Sequence, residues 1–235
     1  MDAQIVFFIM IGFLFLSLLI GNWVFVALGM TGVIGLLLME PKMLNMAAPI
    51  VWGALRSPTL SAGPLFIFMG EIILRSGIST QTYNALSRLL GFLPGGLLHT
   101  NVVSCAGFAA ISGSSVATAA TIGTVAVPDQ KRLGYERKIA LGSIAASGTM
   151  GILIPPSVNM IIYGAFVETS IGRLFAGGVI PGLIMALGFM IYIAIRAVVN
   201  PTLAPRVSYP WREKLTSIKD LVPIVVLIAF IFGAI

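Results

Sequence analysis

Two patches of small polar residues, Ser112-Gly113-Ser114-Ser115 and Ser147-Gly148-Thr149-Met150-Gly151, interrupt segments otherwise apolar enough for a bilayer. Pro155-Pro156-Ser157 follows the second patch. Hydroxyls and backbone carbonyls are hard oxygen ligands, and helix N-termini hold anions. Gly113 permits backbone angles closed to other residues. Ser115 stands where an N-cap would be for a helix over Val116–Val127, whose positive dipole end would face an anion. Carbonyls ending the preceding helix, around Ala110–Ser112, would face the same spot and suit a small cation. In an unbroken helix, residues 155 and 156 would donate to the carbonyls of Gly151 and Ile152. Both are prolines and have no N–H. Those carbonyls and the Thr149 hydroxyl are expected to form a Na⁺ shell. Pro156 is expected to open a new half-helix, with Asn159 and Tyr163 on one of its faces.

Blander roles compete with these. Small residues let helices pack closely, which suffices for Ala117–Ala120. Prolines also kink helices. However, four turn-formers in a row at mid-membrane are costly without a role. Two prolines after a glycine-rich lead-in likewise exceed what a kink needs.

The elements that must position these residues follow from composition. The chain is 58% hydrophobic and only 9% charged, where a soluble domain carries roughly a quarter charged residues. It reads as an all-α polytopic membrane protein. The net charge of +6 lies in loops between apolar spans, unlike the one-faced stripe of a nucleic-acid binder. Expected spans are Ile5–Ile20, Trp23–Met39, Leu60–Leu74, Ile139–Val167, Leu174–Val199 and Leu221–Ile235. Gly21-Asn22 makes the first two a helical hairpin. Met43–Leu55 reads as interfacial or half-inserted, and Ser79–Leu89 as polar enough to lie at a surface.

Gly95–Val127 is too long for one span and carries turn signals at both Gly95-Gly96 and Ser112–Ser115. Two half-length helices meeting at the Ser-Gly-Ser-Ser tip fit it, as a re-entrant hairpin. With that hairpin and an external N-terminus, eleven basic residues fall inside and three, Lys42, Arg56 and Arg173, outside. A single crossing weakens the bias.

Cys105 is the only cysteine, which excludes an internal disulfide and a cysteine metal site. Glu71 and Arg75 read as an i,i+4 pair, and His99 as an interfacial residue. The N-terminus reads as a retained span. The C-terminal span lacks a polar flank and no second hairpin appears, so the chain is expected to be one half of a longer protein.

The run from Ile111 to Gly123, the run A-A-S-G-T-M-G-I-L-I-P-P-S from Ala145 to Ser157, Pro64–Gly70, Gly134-Tyr135, Ile162–Gly164 and Pro181-Gly182 resemble the large membrane subunit of tripartite ATP-independent periplasmic (TRAP) transporters, the DctM-like family. The resemblance implies an ion-transporter-superfamily-like repeat with a re-entrant hairpin and a broken transmembrane helix. It implies Na⁺-coupled, elevator-type import of an organic acid across the bacterial inner membrane, with Na⁺ as coupling ion and no other cofactor. The implied partners are a small four-helix membrane subunit and a periplasmic substrate-binding protein. Carried over, Na⁺ falls on Ser112, Gly113, Ser114, Gly148, Thr149 and Gly151. Substrate falls on Ser115, Pro155, Pro156, Ser157 and Asn159. Residues 1–90 and 174–235 are then expected to be largely scaffold. Residues 91–173 would be transport elements, with the hairpin at 95–130 and the broken helix at 136–167.

Three alternatives stay open. Another Na⁺-coupled anion transporter of the same superfamily would share these features. An intramembrane serine hydrolase could use Gly113-Ser114-Ser115 with His99 as base, but the chain lacks H-E-x-x-H, G-x-S-x-G and any intramembrane carboxylate pair. A passive channel conflicts with two helix breaks that close a site.

Overall fold

The computed structural model describes residues 3–233 and is all-α, with no strand among the described residues. The chain divides into two compact units, Met1–Pro58 and Thr59–Ile235.

In the first unit, α1 (Ala3–Leu19) and α2 (Val24–Met39) pack on one another. The turn between them needs Gly21, at φ +91°, and the Asn22 side-chain amide donates to the Ser17 hydroxyl at 3.0 Å. α3 (Leu44–Leu55) buries no side chain. Bulky apolar groups such as Phe8, Leu19 and Phe25 point outward at 68–83% exposure. An apolar exterior of that extent belongs against lipid.

The second unit holds α4 (Pro58–Arg75), α5 (Ile78–Leu90), α6 (Leu97–Ser112), α7 (Ser115–Arg132), α8 (Arg137–Gly148), α9 (Met150–Leu153), α10 (Val158–Phe166), α11 (Ile171–Val199) and α12 (Trp211–Gly233). α6 is the hub, packed by α5, α7, α8, α9, α11 and α12. It is buried on nearly every side, with Leu98, Val102, Cys105 and Ile111 fully buried beside the polar Thr100 and Asn101. Arg137–Phe166, Ile171–Val199 and Trp211–Gly233 are each long and apolar enough to cross a membrane. The protein is a multi-pass membrane protein.

A buried polar network fastens the bases of α5 to α8. Gln130 Nε2 donates to Asn101 Oδ1 at 2.7 Å and to the Tyr83 hydroxyl at 3.3 Å. Asn101 Nδ2 donates to Ser143 Oγ at 2.7 Å. In the turn between α7 and α8, the Tyr135 hydroxyl accepts from Leu97 N at 3.0 Å and donates to the Pro205 carbonyl at 2.7 Å. Burial raises its phenol above the ordinary value, which keeps that donor protonated.

Several expectations shift. α5 is not a surface helix: it buries Ser79, Thr82, Tyr83, Ala85 and Ser87 against α6 and α12, where Asn101 and Gln130 satisfy Tyr83. His99 is buried, its Nε2 2.7 Å from the Pro94 carbonyl. The hairpin arms exceed half-length, at 16 and 18 residues, because polar Asp129–Arg132 continue the second arm as helix. α12 begins at Trp211, ten residues before the expected span, since its polar first turns pack on α5. Residues 234 and 235 of that span lie outside the described residues, as do Met1 and Asp2.

Candidate functional site: the hairpin tip against the broken helix

α6 ends because Gly113 turns left-handed, at φ +60°, and its N–H still closes on the Ala109 carbonyl. A side chain there would be disfavoured by backbone angle and by space, since a Cβ would lie 2.9 Å from the Pro156 carbonyl oxygen. The next residue, Ser114, is extended and caps α7, its Oγ accepting from Ala117 N at 3.4 Å. The cap is therefore Ser114 and not Ser115, because the left-handed glycine delivers the chain into helix one residue earlier. Thr118 completes the tip: its hydroxyl donates to the Ser114 carbonyl at 2.7 Å and lies 3.0 Å from Ser112 Oγ. Sequence reading assigned Thr118 to packing. Its position four residues after Ser114, one helical turn, was the available signal.

The second break runs from Thr149 to Ser157. Thr149 caps α8, and α9 ends at Leu153. Ile154 is extended, with ψ 121°. Each of Ile154 and Pro155 precedes a proline, which disfavours helical angles. Pro156 therefore does not open the new half-helix; α10 begins at Val158, with Ser157 at its N-cap. The Pro155–Pro156 peptide bond is cis. Gly151 and Ile152 do lose their helical donors, because residues 155 and 156 carry no N–H.

The two breaks meet. Val158 N donates to the Gly113 carbonyl at 3.3 Å. Ser115 Oγ is 3.5 Å from the Thr149 carbonyl. Gly151 lies so close to the tip that a Cβ would sit 2.7 Å from Ser114 C and Ser115 N, and a Cβ on Gly148 would sit 2.7 Å from the Ala119 Cβ. Glycine supplies room here, not flexibility. Thr149 is exposed and its hydroxyl proton is spent on the Ala146 carbonyl at 2.6 Å, leaving its lone pairs. Ser147 and Ser157 flank the break, both fully buried, and neither hydroxyl finds a partner among the described residues.

A recess of about 240 Å³ opens where the tip meets the break. Gly113, Ser114, Ser115, Val116, Val158 and Asn159 line it together with Ile67 and Ile152. Its lining contains no basic residue, but the first turns of α7 and α10 both open onto it. Two helix N-termini at one recess favour an anion. Of the expected residues, Ser112 lies behind the tip in a smaller cavity of about 130 Å³ with Gly70 and Thr121. Pro155, Pro156 and Ser157 are buried at the rear of the break, and Tyr163 is exposed and does not line the recess. Glu71 pairs with Arg75 at 2.7 Å. Larger recesses lie elsewhere, among them one of about 400 Å³ between α8 and α11 and one of about 430 Å³ between the end of α7 and the start of α8. His99 is thirteen residues before Ser112 on α6, about 20 Å along the helix, so it cannot serve a tip serine as base.

Known proteins agree on one family. The family model for the tripartite ATP-independent periplasmic transporter, DctM component, matches residues 9–235. The chain is 37% identical over 210 residues to the C4-dicarboxylate TRAP transporter large permease DctM of Pseudomonas aeruginosa, covering 89% of this chain and 49% of that one. It is 34% identical to the ectoine TRAP transporter large permease TeaC of Halomonas elongata, over 93% of this chain and 52% of the relative. It is 33% identical to the sialic acid TRAP transporter large permease SiaM of Vibrio cholerae, over 92% and 51% respectively. The chain spans about half the length of the curated relatives it matches. With its hairpin tip and broken helix held together, the chain belongs to the DctM component family of TRAP transporters.

Proposed function

We propose that this chain contributes to the permease of a Na⁺-coupled transporter that imports an organic acid across the bacterial inner membrane. The observation that carries this is the convergence of two helix N-termini, α7 and α10, on one recess beside a set of oxygen ligands. The anionic substrate takes the N-terminal side, at Ser115, Ser157 and Asn159, with Pro155 and Pro156 shaping its rear wall. Na⁺ takes oxygens of Ser112, Gly113, Ser114, Gly148, Thr149 and Gly151, beside the C-terminal ends of α6 and α8. Opposite dipole ends thus meet opposite charges. The names of relatives, which include C4-dicarboxylate, sialic acid, ectoine and isethionate, support a small organic cargo with a carboxylate or sulfonate group and leave its identity to the rest of the site. A small membrane subunit and a periplasmic binding protein complete the transporter, and the tip-and-break assembly moves elevator-fashion.

Uptake of labelled C4-dicarboxylate or sialic acid into proteoliposomes tests this reading. The complete large subunit containing this region is reconstituted with its small subunit and binding protein. Saturable uptake that needs an inward Na⁺ gradient is expected. Uptake undiminished when choline replaces Na⁺ contradicts it.

A further inference from the structure

The recess of about 430 Å³ between α7 and α8 is unused by the site above. Its wall combines Gln130, Lys131 and Arg137 with apolar Val127, Ala140 and Leu141. Lys131 and Arg137 are exposed, and neither joins an ion pair among the described residues, whereas neighbouring Arg132 is held by Asp129 at 3.0 Å. Glu136 lines the other recess, between α8 and α11, beside Lys138 and Arg196. Gln130 is 1% exposed, and its Nε2 faces inward to Asn101 and Tyr83. Its Oε1 is buried without a donor. Leu141, 42% exposed, carries the apolar wall outward. A cationic mouth over an apolar wall, on the side that charge bias makes cytoplasmic, has the form of an anionic-lipid site.

We infer that this recess binds an anionic phospholipid of the phosphatidylglycerol type. Its phosphate sits between Lys131 and Arg137, and an acyl chain lies along Val127, Ala140 and Leu141. The bound lipid clamps the second hairpin arm to the first half of the broken helix, the two elements that meet at the site.

The chain is placed in nanodiscs of dioleoylphosphatidylcholine with or without dioleoylphosphatidylglycerol, and lipid retention and thermal unfolding midpoint are read. Phosphatidylglycerol is expected to be retained and to raise the midpoint. Lys131→Gln with Arg137→Gln should weaken its apparent affinity about thirtyfold, roughly fivefold per basic side chain. Lys138→Gln with Arg196→Gln, at the other recess, should leave it unchanged. Both pairs are exposed on the chain's surface, which keeps folding intact. Inorganic phosphate in phosphatidylcholine discs should not reproduce the effect. Equal midpoints in the two lipids, a lipid effect that survives Lys131→Gln with Arg137→Gln, or full stabilisation by phosphate alone overturns the inference.

Discussion

Gly113, Gly148 and Gly151 decide whether the two breaks can touch. Gly113 is legible in sequence as a turn, because four turn-formers in an apolar run have no other use. Gly151 is not legible in the same way, since its role depends on a backbone 36 positions earlier, at Ser115. A Cβ at Gly151 would meet main-chain atoms, which cannot rotate aside. Gly151→Ala should therefore destabilise the tip by about 1–3 kcal/mol and lower the unfolding midpoint of the detergent-solubilised protein. Gly142→Ala, where a Cβ meets nothing within 4 Å, should be neutral or stabilising by up to about 1 kcal/mol. Equal midpoints for the two variants would show that the close approach does not constrain the fold. The one-residue error in the cap has the same origin: three serines within four residues offer the same hydroxyl, and only the left-handed glycine selects Ser114.

At the scale of elements, the broken helix was legible because proline's missing N–H is covalent. Where the next helix starts was not, because two successive pre-proline positions extend the chain as far as Ser157. With Pro155→Ala and Pro156→Ala together, the N–H groups regained at 155 and 156 can bond the Gly151 and Ile152 carbonyls. The variant should still insert, since both replacements are small and apolar. Na⁺-dependent uptake by the complete transporter should nevertheless fall severely. Normal uptake with the usual Na⁺ dependence would make the break only a bend. The Tyr83–Asn101–Gln130–Ser143 network escaped sequence reading altogether. Its members come from four helices, with no periodicity linking them, and Gln130 stands at the end of the expected hairpin beside Lys131-Arg132.

For the whole molecule, composition alone was enough for an all-α polytopic membrane protein. The charge bias went further and predicted that both ends of the hairpin lie on one side. Phe92 and Lys131 are exposed at those ends, and the natural thiol, Cys105, is fully buried. Cysteines introduced as Phe92→Cys and Lys131→Cys should both react with a membrane-impermeant maleimide from the cytoplasmic face. Labelling from opposite faces would make Gly95–Val127 a crossing helix and dismantle the site. The surface position expected for α5 failed because its buried face is polar. Small hydroxyls and a tyrosine read as solvent-facing, whereas Asn101 of α6 and Gln130 of α7 take up the tyrosine and Ser87 donates to Asn84 within its own helix.

The central claim, that tip and break hold Na⁺ together, is tested most directly at Thr149. Thr149→Val is nearly isosteric and removes one exposed hydroxyl, whose bond to the Ala146 carbonyl contributes only about 1 kcal/mol. Folding should be preserved. In the complete reconstituted transporter, the Na⁺ concentration for half-maximal uptake should rise about tenfold, the loss of one charge-assisted oxygen ligand. A well-folded variant whose Na⁺ dependence matches the parent would contradict the claim and move the cation elsewhere.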